Sequence, residues 1–232
     1  MIEDQAIYGA IVVLGRGIGR DPKGRWRPTP YFTENPQAGI FTNKPNLDNS
    51  EVGGGNANTL AAVHFYERLC LEGVPPNLII FAAGRPNYLS QENPSLSEGK
   101  VMRERFLRGV RLRRLKFPET EILVKNKNTR DDMERSLAVL AEIGIKDAAI
   151  ISIEPHLERA QEFMQIAYKK AGLEIDQFRL DFIPAERILG QASTRFRRRF
   201  EGVQDKTPYI RTQAKENQGV RDIKSQTYDF KT

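Results

Sequence analysis

Only two histidines occur in this 232-residue chain, and His156 stands where a buried apolar run gives way to a helical period. Ile150-Ile151-Ser152-Ile153 reads as a strand. Glu154-Pro155-His156 reads as a helix start, with Glu154 as cap and Pro155 at the first helical position that proline favours. Open α/β sheets place their ligands just beyond the carboxyl ends of strands. Arg159 follows His156 at i+3 and shares its helix face. An imidazole beside a permanent cation suits anion binding or proton transfer, and a helix N-terminus favours the neutral ring. His156 is thus a catalytic candidate and Arg159 a ligand-binding one. His64 lies inside an earlier helix and reads as packing or surface.

Three further segments carry polar groups to strand ends. Leu14-Gly15-Arg16-Gly17-Ile18-Gly19 follows the first apolar run, and its glycines let backbone N–H groups approach an anion. Gly15, Arg16 and Gly17 are therefore ligand-binding candidates. The segment is not a dinucleotide fingerprint and lacks the lysine of a P-loop, so turn glycines explain it equally well. Ser97-Glu98 opens a helix, with Ser97 as N-cap and a ligand-binding candidate. The helix dipole favours Glu98 there by ~0.3–1 kcal/mol without any function. Its carboxylate could equally accept a ligand hydroxyl, which makes Glu98 the second catalytic candidate. In Asn128-Thr129-Arg130-Asp131-Asp132, Thr129 and Asp132 have the spacing of a capping box. Asn128 and Asp131 are then left to face a ligand, and Asn128, Thr129 and Asp131 join the ligand-binding candidates. No residue is assigned to a metal, and the cofactor is unknown.

The elements that position these residues alternate regularly. Strands are expected at 6–14, 78–83, 121–124, 148–153 and 178–183, with helices at 59–72, 97–108, 130–143 and 155–171. Such alternation implies right-handed crossovers and a doubly wound, mainly parallel five-stranded sheet in a three-layer Rossmann-like α/β sandwich. If the fully apolar runs Ile11–Leu14 and Ala148–Ile151 are neighbours, the switch point lies between them. Residues 20–56 form a long proline-rich insertion with four aromatics, in the manner of a lid or binding loop. The reading gives one domain over residues 1–200 and a polar basic tail over 201–232, irregular unless ordered by a partner.

Bulk composition narrows the classes. Mean hydropathy is −0.53, and no run approaches a membrane span, so a soluble cytoplasmic protein without membrane contact is expected. The single cysteine, Cys70, excludes an internal disulfide. The net charge of +6 is concentrated at the end of the chain: residues 185–232 hold 11 Lys/Arg against 6 Asp/Glu. Another basic cluster spans 100–116, without the interleaved aromatics that stack nucleic-acid bases. It reads as a solvated face, and nucleic acid is not the expected partner.

Val13-Leu14-Gly15, Ser97-Glu98-Gly99-Lys100-Val101-Met102, Asn128-Thr129 and His156-Leu157-Glu158-Arg159-Ala160 occur in that order. Together they resemble the YdcF/SanA/ElyC-like proteins over about residues 6–190. The resemblance implies a Rossmann-like domain with a polar pocket at the strand ends. It also implies nucleotide-type ligands such as S-adenosylmethionine for some members, and an envelope role for membrane-anchored ones. The chain departs from the pattern in Asp131-Asp132, in Arg16 within the glycine pair, and in the 20–56 insertion. The second strand ends in Ala82-Ala83-Gly84-Arg85, without the acid a methyltransferase uses to grip ribose. The function expected is binding or transformation of an anionic small molecule, phosphorylated or nucleotide-like. The alternative is a non-catalytic scaffold that uses the insertion and tail to bind another copy, a different protein or nucleic acid.

Overall fold

The computed structural model describes residues 7–33, 51–84, 96–124 and 126–225. Its centre is a five-stranded parallel sheet made of β1 (Ala10–Leu14), β6 (Leu78–Ala82), β7 (Glu119–Ile122), β8 (Asp147–Ser152) and β9 (Arg179–Pro184). The spatial order is β7-β6-β1-β8-β9. The chain winds outward from β1 to one edge and then returns to β1's other side, so the switch point lies between β1 and β8, as the two apolar runs implied. Every residue of β1 and β6 is buried, which is why their sequences read as unbroken apolar runs. The edge strand β7 instead alternates exposed Glu with half-buried Thr and Ile.

The period of two along each strand sorts side chains into two cores. Ile11, Val13, Ile79, Phe81, Ala149 and Ile151 pack on one face, against α1 (Gly55–Leu71), α2 (Glu98–Leu112) and α5 (Ala185–Ala192). Val12, Leu14, Ile80, Ala82 and Ile150 pack on the other, against α3 (Thr129–Glu142) and α4 (Glu154–Ala171). The fold is therefore the α/β three-layer sandwich expected.

Between β1 and α1 the chain forms two small antiparallel pairs, β2 (Ile18–Arg20) with β3 (Trp26–Pro28) and β4 (Phe32–Thr33) with β5 (Glu51–Val52). The insertion's remainder, 34–50, lies outside the described residues. Both pairs lie near the strand ends: the Thr29 N–H donates to the Gly17 carbonyl, and the Thr29 hydroxyl to the Arg16 carbonyl.

Two differences from the sequence reading matter for the site. The tail is not irregular: after α6 (Thr194–Phe200), residues Thr207–Lys224 form an 18-residue helix, α7, packed on α4 and β5. Its buried stripe is Tyr209, Thr212, Glu216, Gly219, Val220 and Ile223, a helical spacing that a hydropathy reading misses because half of these residues are not hydrophobic. The second difference is at α4. Its N-cap is Ile153, which offers no side-chain oxygen, and Glu154 is the first helical residue, not the cap. The capping carboxylate comes from α5, where Glu186 Oε2 accepts the Glu154 N–H at 3.0 Å and Oε1 accepts the Tyr31 hydroxyl at 2.6 Å. Burial pushes the Glu186 carboxyl up to about 7.

Candidate functional site

The loops after β1, β6, β7 and β8 and one face of α7 enclose a cavity of about 290 Å³ at the carboxyl edge of the sheet. Its rim and floor include Gly15, Arg16, Gly17, Glu98, His156 and Arg159. The loop after β1 runs tight against its neighbours: a Cβ on Gly15 would stand 2.6 Å from Ala83 Cβ and 2.8 Å from Glu98 Oε1. A side chain there would close the gap between β1 and α2, so the glycine is needed for close approach. The crevice is pinned from behind by Asn58 of α1, whose Nδ2 donates to the Leu14 carbonyl at 2.8 Å and to Ser152 Oγ at 3.4 Å.

Glu98 does what the sequence reading gave to a ligand. Its Oε1 accepts the N–H groups of both Arg16 and Gly17, each at 2.5 Å. The first-loop amides thus receive an internal carboxylate, and the expectation that they cradle an anion is corrected. Burial drives the Glu98 carboxyl up to about 7, with these N–H groups and the Arg16 guanidinium offsetting part of the effect. Ser97 caps α2 by accepting the Lys100 N–H at 3.2 Å, and it is absent from the cavity lining.

At the third loop the capping assignment is inverted. Asn128, not Thr129, is the N-cap of α3, and its Oδ1 accepts the Asp131 N–H at 3.0 Å. Asp131 turns back to accept the Lys127 N–H at 2.9 Å and does not line the cavity. Thr129 and Asp132, which the capping box had explained away, are the pair left on the cavity wall, with Asn128 beside them. Buried Asn126 donates through Nδ2 to Asp132 Oδ1 at 2.6 Å. Burial raises the Asp132 carboxyl well above the usual carboxylate range, against the effect of that hydrogen bond.

The centre of the cavity is a charged knot absent from the sequence reading. Glu216, projecting from α7, places Oε1 2.9 Å from Arg16 Nη1 and Oε2 2.9 Å from Arg159 Nε. His156 lies between them, with Nδ1 at 3.3 Å from Arg16 Nη1, Arg159 Nη2 and Glu216 Oε2. Its Nε2 is 3.4 Å from Thr129 Oγ1. Burial lowers the imidazole to about 4, with the Glu216 carboxylate opposing and the two guanidiniums adding to the drop. His156 is therefore neutral at neutral pH. Nδ1 faces two guanidinium donors and the Glu216 carboxylate, and Nε2 faces the Thr129 hydroxyl, so the neutral ring has a partner in either tautomer. Burial works to raise the Glu216 carboxyl, but His156 once it is protonated and the Arg16 and Arg159 guanidiniums at all pH values hold it well below the usual carboxylate range, so at neutral pH it is ionised beside a neutral imidazole.

The balance around the knot is two guanidiniums, one ionised carboxylate and a neutral imidazole, and it is positive. Lys127 and Lys215 stand on the rim, the latter 3.3 Å from Glu51. Glu98 and Asp132 line the same cavity as two carboxyls whose ionisation burial opposes. Among the described residues no group of three His, Cys, Asp or Glu side chains comes together as a metal-ligand set.

Sequence reasoning missed Glu216, Asp132, Asn126 and Asn58. A signal existed for Glu216, as an acid on the buried stripe of a helix, but the helix itself had to be recognised first. Comparison with protein-family models, curated proteins and solved structures returned no match.

Proposed function

We propose that this domain binds an anionic small molecule, phosphorylated or nucleotide-like, in the cavity at the β1–β8 switch point. The convergence of Arg16 and Arg159 on one buried carboxylate carries this reading. Two planar guanidiniums with a single counter-charge leave donor capacity for a phosphate or carboxylate, which arginine forks bind with charge-assisted geometry. A YdcF-like affinity accords with the same cavity, since Glu98, Asn128, Thr129, His156 and Arg159 all line it.

Chemistry on the bound molecule would divide between two groups. Glu98, with a carboxyl near 7, is poised to exchange a proton at neutral pH. His156, held neutral, supplies a hydrogen bond rather than a positive charge, which shifts the acid–base role expected of it toward Glu98. Locations with paired, oppositely tuned groups are where catalytic sites are found, and this supports turnover as well as binding.

The test is calorimetric titration of the full chain with a panel of nucleotides and sugar phosphates. Arg159→Gln is expected to weaken any affinity found by roughly tenfold or more, because it removes a charge-assisted contact. His156→Asn is expected to cost less. Ligands that bind both variants as tightly as the parent chain would move the site elsewhere.

A further inference from the structure

Beside the β2–β3 hairpin is a second concavity of about 290 Å³, lined by Arg27, Pro28, Pro30, Asn56, Arg105 and Arg108. It shares no lining residue with the His156 cavity. We propose that Arg27, Arg105 and Arg108 form a second anion site that takes the phosphate groups of a small phosphorylated molecule.

Three elements bring the arginines together. Arg105 and Arg108 are at i and i+3 of α2 and so share a face, and β3 packs on that helix and carries Arg27 to it. Like charges gathered around one hollow repel, and among the described residues two of them have no counter-ion. Arg27 has Asp21 at 3.3 Å, whereas neither Arg105 nor Arg108 has a carboxylate partner among the described residues. This contrasts with the His156 cavity, where Glu216 already answers both guanidiniums. Arg105 is half-buried, and burial together with Arg108 and Arg27 lowers its affinity for its own proton. An anion would relieve that strain.

Asn56 adds direction. It belongs to the first turn of α1, a 17-residue helix with no acidic residue in that turn, whose Gly55 and Asn56 N–H groups already donate to the Thr29 hydroxyl and carbonyl. With those amides taken, the helix contributes its dipole and not its N–H groups to the field of the three arginines.

The shape favours a small ligand over a polynucleotide. Trp26, the neighbouring aromatic on β3, has the Arg20 guanidinium 5.1 Å from its ring and packs with the Ile18–Val101 cluster. It does not offer an open face for base stacking. A concave site with three forked donors suits a di- or triphosphate, each guanidinium taking a pair of oxygens.

Calorimetric titration of the full chain with inorganic pyrophosphate at low salt tests the site. Arg105→Gln and Arg108→Gln are each expected to weaken one binding event by about tenfold or more, and Arg159→Gln is expected to leave that event unchanged. Arg108 is exposed, so R108Q keeps the fold, which a thermal melt verifies. Arg198→Gln, an exposed arginine on α6, controls for net charge and is expected to change nothing. An event that depends on Arg105 and Arg108 but not on Arg159 upholds this site even if the His156 cavity proves silent. The proposal is overturned if R105Q and R108Q titrate like the parent chain, or if R198Q weakens binding as much as they do. It is equally overturned if a single-stranded RNA oligomer displaces pyrophosphate through the same arginines at lower concentration, which would mark a polynucleotide surface.

Discussion

Glu98 and His156 share one cavity, and burial disfavours the charged form of both, with opposite consequences for pH. The Glu98 carboxyl rises from 4.5 to about 7 on folding. Between those values the folded chain holds a proton that the unfolded chain has released, so stability from this group is complete below about 4.5 and is lost as pH rises to 7. The imidazole falls from 6.5 to about 4, so its contribution is lost as pH drops through that window. Glu98→Gln separates the two. A glutamine keeps an oxygen for the Arg16 and Gly17 N–H groups and cannot ionise. Urea melts are expected to show E98Q close to the parent chain at acid pH and more stable at pH 8, by up to roughly 3 kcal/mol at 1.36 kcal/mol for each pKa unit. A gain that is equal at both pH values would mean that Glu98 is not a desolvated acid. The same variant is expected to abolish any turnover that depends on a proton from Glu98, while binding persists.

The helices show where a sequence yields its structure and where it withholds it. α1 to α4 were legible because each sets an apolar stripe against the sheet, and Gly172 ends α4 at φ 66°, a conformation in which glycine carries no penalty. α7 was not legible, because Thr212, Glu216 and Gly219 occupy its buried face, and the first two pair with groups distant in sequence. The Thr212 hydroxyl accepts the Val52 N–H at 2.9 Å, and Glu216 accepts from Arg16. The cap of α3 was misassigned because Asn128 and Thr129 are both good capping residues one position apart, and only geometry selects between them. Through Glu216 the C-terminal helix becomes part of the cavity, and this gives an element-scale prediction. Glu216→Gln leaves two guanidiniums facing each other across a neutral amide. The arginine side chains keep 15% and 18% exposure, so water softens the loss, and a destabilisation of about 1–3 kcal/mol is expected. Orthophosphate is expected to raise the melting temperature of E216Q more than that of the parent chain, since the anion replaces the lost counter-charge. An equal phosphate response in both chains would count against anion binding between Arg16 and Arg159.

At the scale of the molecule, the site depends on two half-sheets meeting at the correct separation. The sequence made the halves readable, because Ile11–Leu14 and Ala148–Ile151 are apolar enough to be central strands, and strand order then placed the crevice between them. What holds the crevice at its width was unreadable: Asn58 stands between Asn56 and Thr59 in the polar first turn of α1, and nothing local sets it apart from them. It is fully buried, and it bridges the carbonyl that ends β1 to the hydroxyl that ends β8. Asn58→Leu preserves approximate size but strips the Leu14 carbonyl of this donor, at a cost of about 1–3 kcal/mol. Because the lost bonds span the two halves, the loosening is expected to be shared. Amide hydrogen exchange should quicken both in the loop after β1, at Arg16 and Gly17, and at the start of α4, at His156, while the centre of β1 stays slow. Affinity for the cavity's ligand is expected to fall alongside, since Arg16 and Arg159 approach that ligand from opposite sides of the same crevice. Faster exchange confined to α1 would show that Asn58 stabilises its own helix and not the spacing of the strands.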